Sequence, residues 1–150
     1  MIRTAFQLST LVAAALLSTC EAPAEADPAD TASLTVTLTN IENTTGIIRL
    51  GVFAGEEDYE NGGGVTGANV AVDESTETVT IDGLTPGTYA IKLYHDVDDD
   101  GEMDTNPFGM PTEPFGFSND ARGRFGPAKW ADAKFDLTSG ENAHAIKVGG

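Results

Sequence analysis

Between Leu34 and Thr39 the chain alternates strictly between aliphatic and threonine side chains. Leu34, Val36 and Leu38 fall on one side, and Thr35, Thr37 and Thr39 fall on the other. A period of two puts successive residues on opposite faces of an extended chain, so this stretch buries one face and wets the other. The same signature recurs. After a turn at Asn43–Gly46, Ile48, Leu50 and Val52 continue it, followed by a segment at Asn69–Asp73 and another at Thr78–Asp82 with Val79 and Ile81 inward. Gly83–Gly87 turns the chain again, and a fifth strand sets Tyr89, Ile91, Leu93 and His95 on one face. Near the end, Ala133, Phe135 and Leu137 alternate, Ser139-Gly140 turns, and Ala143–Val148 closes the pattern. About seven short strands without an amphipathic helix predict an all-β domain, a sandwich of Greek-key type. One connection breaks the rhythm. Residues 97–132, between strands five and six, are far longer than an ordinary loop. Phe108, Phe115, Phe117, Phe125 and Trp130 give that loop apolar weight and predict that it folds back over a sheet.

The N-terminus has a different character. Arg3 precedes the uncharged run Leu8, Leu11, Val12, Ala13, Ala14, Ala15, Leu16 and Leu17, which is too short to span a bilayer and reads as an export signal over residues 1–20. The single cysteine, Cys20, closes Leu17-Ser18-Thr19-Cys20, which resembles a bacterial lipobox; a cut at Ala22-Pro23-Ala24 would instead discard it. Residues 21–33 are rich in Ala, Pro, Asp and Glu and read as a disordered acidic linker, leaving residues 34–150 for the sandwich. The expected location is therefore the periplasm, the outer membrane as a lipoprotein, or the exterior. Net charge is −16, a surface that repels phosphate backbones and excludes nucleic acid as a partner. Contact with a membrane is expected only through a lipid on Cys20.

One constellation carries chemistry. Asp96-Val97-Asp98-Asp99-Asp100-Gly101-Glu102-Met103-Asp104 places carboxylates at relative positions 1, 3, 5 and 9 with glycine at 6, the spacing of a calcium loop in which alternate side chains converge on one ion. In that register Asp96, Asp98 and Asp100 are side-chain ligands, Glu102 offers its backbone carbonyl, and Asp104 binds directly or through water. Oxygen-only ligands select a hard cation, Ca2+. Position 12, which supplies a bidentate glutamate in a complete EF-hand, is Pro107, so Glu113 or Asp132 is expected to finish the shell. The same residues are also the ordinary vocabulary of a solvated turn, although six acids within nine residues repel one another without a cation. The second acidic run, Glu56-Glu57-Asp58 with Glu60, lacks this alternation and reads as a solvated loop. His95 and His144 fall on apolar faces, where packed histidines are expected. No nucleophile elbow or His-Glu-x-x-His pair is present in the sequence.

The run Asp82-Gly83-Leu84-Thr85-Pro86-Gly87-Thr88-Tyr89-Ala90-Ile91, then Tyr94 through Asn106, resembles the bacterial family DUF2141. So do Gly109-Met110-Pro111-Thr112-Glu113-Pro114-Phe115-Gly116-Phe117-Ser118-Asn119, Phe125-Gly126-Pro127 and Trp130-Ala131-Asp132-Ala133. The resemblance implies an exported bacterial protein with an immunoglobulin-like or transthyretin-like β-sandwich and no established activity. The expectation is a non-enzymatic binding or structural module of the envelope, whose calcium-ordered loop meets an envelope or extracellular ligand. The alternative is a hydrolase or carbohydrate-active enzyme that uses His95 with loop carboxylates.

Overall fold

The computed structural model describes residues 31–149; the expected export signal, Cys20 and the expected linker up to Asp30 lie outside them. Eight strands are present among the described residues: β1 (Ala32–Thr39), β2 (Ile47–Phe53), β3 (Thr66–Ala71), β4 (Glu77–Leu84), β5 (Gly87–Asp96), β6 (Phe115–Phe117), β7 (Phe135–Leu137) and β8 (Gly140–Lys147). They form two sheets. One has the order β4-β1-β8, with β1 antiparallel to β4 and parallel to β8. The other has the order β3-β2-β5-β6, with β7 also on β5. β5 is the spine of that sheet: its first residues pair with β7, and Lys92–Tyr94 pair with β6.

The aliphatic positions of the alternating strands meet between the sheets. Leu34, Val36 and Leu38 of β1 and Ile146 of β8 pack with Ile48, Leu50 and Val52 of β2 and Ile91 and Leu93 of β5 in one buried cluster. Each such side chain contributes roughly 1.5–3 kcal/mol on burial. The all-β, two-sheet architecture read from the sequence therefore holds. Two details differ. β1 begins at Ala32, which is 1% exposed and sits opposite Leu84 and Gly140, so Ala32 and Ser33 belong to the sheet and not to a linker. The count is eight and not seven, because β6 lies inside the long connection.

That connection covers the outer face of the second sheet. Phe117, Ala128, Trp130 and Ala133 join Phe53, Tyr59 and Ala90 in a separate apolar cluster. Two short helices, α1 (Glu56–Asn61) and α2 (Trp130–Ala133), contribute Tyr59 and Trp130, whose rings meet edge-on at 5.7 Å. The Glu56–Glu60 run is thus a helical turn with one buried aromatic, where the sequence reads a solvated loop. Buried Ser118 ties the layers, accepting from Ile91 N and donating to the Ala133 carbonyl. Phe108 and Phe125 stand almost wholly in solvent, so only part of the aromatic stretch serves as cover. His144 is packed as expected, stacked on Phe135 at 4.2 Å, and Nε2 accepts from Asn119 N. No helix among the described residues is long and apolar enough to cross a membrane.

Candidate metal centre

The Asp-rich segment starts where β5 ends, and its position follows from the pleat. On β5, Tyr89, Ile91, Leu93 and His95 point into the core, so Asp96 points to the other face. There it sits opposite Ile47, one diagonal step from Arg49, which pairs with Tyr94. A diagonal cross-strand neighbour is within reach of a long side chain. Arg49 Nε donates to Asp96 Oδ2 at 2.6 Å, and its second arm reaches Asp99 Oδ1 at 2.9 Å.

The chain then wraps around the Asp96 carboxylate. Asp100 N donates to Oδ1 at 3.1 Å and Gly101 N donates to Oδ2 at 3.0 Å. The wrap requires left-handed backbone at Asp99 (φ 57°) and Gly101 (φ 90°); aspartate tolerates the first, and the second favours glycine. Burial pushes the Asp96 carboxyl upward, but the Arg49 hydrogen bond and charge and the Gly101 and Asp100 amides outweigh it. The group is held below the ordinary carboxylate range.

Glu113 closes the other side from sixteen residues downstream. It is 8% exposed, with Oε1 accepting from Val97 N at 2.8 Å and Oε2 from Asp104 N at 3.1 Å. Between them Thr105 and Pro111 form a bridge, and Asn106 Oδ1 caps Phe108 N and Met110 N. Glu113 thus holds both ends of the Val97–Asp104 wrap from a largely buried position.

The outcome is a cradle of three carboxylates. Asp96, Asp98 and Glu113 can each present one oxygen so that all lie within 4.8 Å of one another, the one such group among the described residues. Four lone-pair sites are available on a carboxylate. Asp96 spends three of them and Glu113 two on the bonds above, while Asp98 is exposed with none of its oxygens bonded among the described residues. Acceptor capacity therefore remains on every wall.

The remaining sequence candidates go elsewhere. Asp100 Oδ1 accepts from Glu102 N at 2.8 Å, which closes a local turn. Glu102 is exposed, and Asp104 contributes its amide to Glu113 and its carbonyl to Thr112 N. Asp132 sits on α2 and is not part of the group. Thus the Asp100 and Asp104 carboxylates lie outside the three-carboxylate group, while Glu102, expected to offer its backbone carbonyl, has an exposed side chain. His95 Nε2 bonds the Thr45 carbonyl at 2.6 Å, and its Nδ1 has no partner among the described residues.

Sequence reasoning missed Arg49 and Lys92. Arg49 is signalled only by its register with β5. Lys92 lies 4.0 Å from the centre of the Tyr59 ring and donates to the Tyr59 carbonyl, and burial lowers its pKa despite the charge of Glu60.

No curated protein and no solved structure matches the chain. The family model for an uncharacterized protein conserved in bacteria, DUF2141, matches residues 36–145, which spans both sheets, Arg49 and the whole carboxylate cradle. The chain belongs to the DUF2141 family.

Proposed function

We propose that this protein is an exported, non-enzymatic module of the bacterial envelope in which Ca2+ binds between Asp96, Asp98 and Glu113. The observation that carries the reading is the convergence of these three carboxylates within 4.8 Å. Two of them are buried and already oriented by backbone amides, so little side-chain entropy is lost when an ion arrives. Oxygen donors without nitrogen or sulfur favour Ca2+ over zinc or copper. With three protein carboxylates, the rest of a six- to eight-oxygen shell falls to water and backbone carbonyls.

Arg49 sets the strength. Its guanidinium is a built-in positive charge on Asp96, so an incoming cation meets a partly neutralised carboxylate. A dissociation constant on the order of 0.1–1 mM follows, in the range of extracellular calcium modules. Export and attachment through Cys20, and an immunoglobulin-like or transthyretin-like sandwich, belong to the same reading. The ion fixes the hairpin that carries exposed Phe108 and Met110 as a surface for an envelope or extracellular ligand.

Isothermal titration with CaCl2 tests it. Wild type should bind one ion, and Asp98→Ala should abolish binding without lowering stability, because the Asp98 side chain makes no bond among the described residues. No heat of binding at millimolar calcium would sink the proposal.

A further inference from the structure

The net charge of −16 conceals one stretch of the opposite sign. Arg122, Arg124 and Lys129 are three of the chain's eight basic residues, and no acid lies between Asp120 and Asp132. All three are exposed, and none forms an ion pair or a side-chain hydrogen bond among the described residues. In a chain with 24 acids, the fold keeps these cations apart from every carboxylate. Phe125, directly after Arg124, stands wholly in solvent, where an aromatic ring forgoes the gain of apolar burial.

The loop rises from a fixed base. Ala121 N donates to Ser118 O at 3.2 Å on one side, and Tyr59 OH donates to Ala128 O at 2.9 Å on the other. Both alanines pack on the cluster that holds Tyr59 and Trp130. Between them the backbone turns back on itself: a Cβ at Gly123 would lie 1.7 Å from the Gly126 carbonyl oxygen, and Gly126 has φ 145°, which favours glycine. Arg124 and Phe125 are the two residues inside that closure.

We propose that this loop docks the protein on an anionic phospholipid bilayer, with Phe125 entering the interface and Arg122, Arg124 and Lys129 pairing with lipid phosphates. Cations beside an anionic bilayer and an aromatic ring in its interface add to one another. A soluble polyanion would use the cations and leave Phe125 wet. The chain's own N-terminal residues do not offer both chemistries together: residues 21–30 carry Glu21, Glu25, Asp27 and Asp30 but no large apolar side chain, and residues 1–19 carry apolar side chains but no acid. The acidic surface elsewhere is repelled by the same bilayer, so the loop sets the orientation as well as the contact. Docking here is separate from a lipid on Cys20 and does not depend on calcium at the Asp96 cradle.

Flotation of the full chain with unilamellar vesicles tests this, in EDTA buffer so that no calcium reaches the cradle. Vesicles of phosphatidylcholine alone set the baseline, including any binding by the apolar N-terminal run, and an equal mixture of phosphatidylglycerol and phosphatidylcholine is the probe. The mixture should bind above that baseline with half-saturation on the order of 1 mM lipid, and the excess should disappear at about 1 M KCl. Arg122→Gln, Arg124→Gln and Lys129→Gln should each weaken the excess about fivefold, and about a hundredfold together. Phe125→Ser, with every charge intact, should weaken it about tenfold. These side chains are exposed and unbonded among the described residues, so the variants keep the fold, which far-ultraviolet dichroism checks. No excess over phosphatidylcholine, an excess undiminished by the triple substitution, or unchanged binding by Phe125→Ser would overturn the proposal. So would tighter binding of sodium polyphosphate than of the mixed vesicles at equal phosphate concentration, which would make the loop a site for a soluble polyanion.

Discussion

Replacing Glu113 with glutamine tests whether one buried carboxylate holds the loop. Glu113 accepts from Val97 N at 2.8 Å and from Asp104 N at 3.1 Å while 8% exposed. Hydrogen bonds to a charged acceptor contribute about 1.5–3 kcal/mol each, and neutral ones about 1 kcal/mol. Glutamine keeps the volume but offers one acceptor oxygen, so one bond weakens and the other becomes two donors facing each other. The loop should lose roughly 2–4 kcal/mol of stability against opening. It lies outside the core between the sheets, so opening is local and global unfolding changes little. Hydrogen exchange reads this directly. Exchange at Val97 and Asp104 should accelerate by roughly 30- to 1,000-fold, up to the limit of their wild-type protection, since each 1.4 kcal/mol is a factor of ten. The amide of Leu93, in the ladder with β2 and β6, should be unaffected. If Val97 and Asp104 exchange at the wild-type rate, Glu113 does not hold the loop; if every amide accelerates together, the loop is not a separate unit.

Four further outcomes follow from the same geometry. Arg49→Met removes the charge on Asp96 and should tighten calcium binding severalfold by calorimetry while lowering stability in calcium-free buffer. The Asp96 carboxyl is held below its ordinary value, so its contribution is intact above about pH 4 and lost only as pH falls further; in Arg49→Met the acid transition, followed by far-ultraviolet dichroism, should move to higher pH. Burial pushes Tyr59 up to about 12, so its contribution is present below the ordinary phenol value of 10.0 and lost as pH rises towards 12; an ultraviolet titration should show a phenol ionising towards pH 12 that Tyr59→Phe removes. Gly46 has φ 78°, and a Cβ there would lie 2.2 Å from the Asp96 carbonyl, so Gly46→Ala should cost about 2 kcal/mol or more in urea unfolding and disturb the cradle.

The sheets were legible because their chemistry is local. Leu34, Val36 and Leu38 alternate with threonines, and Tyr89, Ile91, Leu93 and His95 share the inward face of β5. Short elements were not: β6 has three residues, one of them Gly116, too few for a period to show, and its pairing is decided by β5. α1 escaped because Tyr59 is its single buried residue, and one apolar residue among acids carries no helical signal. At the cradle, spacing marked Asp96 and Asp98 but could not show that Asp100 turns back to Glu102 N. Glu113 was reachable only as a candidate from elsewhere in the loop. Arg49 was not reachable, since its contact with Asp96 depends on which residues face each other across β2 and β5.

A calcium titration followed by amide ¹H–¹⁵N shifts places the ion on the chain. Binding between Asp96, Asp98 and Glu113 should shift Val97, Gly101 and Asp104 together on one saturable curve, with a midpoint on the order of 0.1–1 mM, and Asp98→Ala should flatten that curve while the β1 amides stay fixed. Shifts that drift linearly with calcium across Glu56–Glu60 and other exposed acids, or that persist at Gly101 in Asp98→Ala, would contradict a site in the cradle.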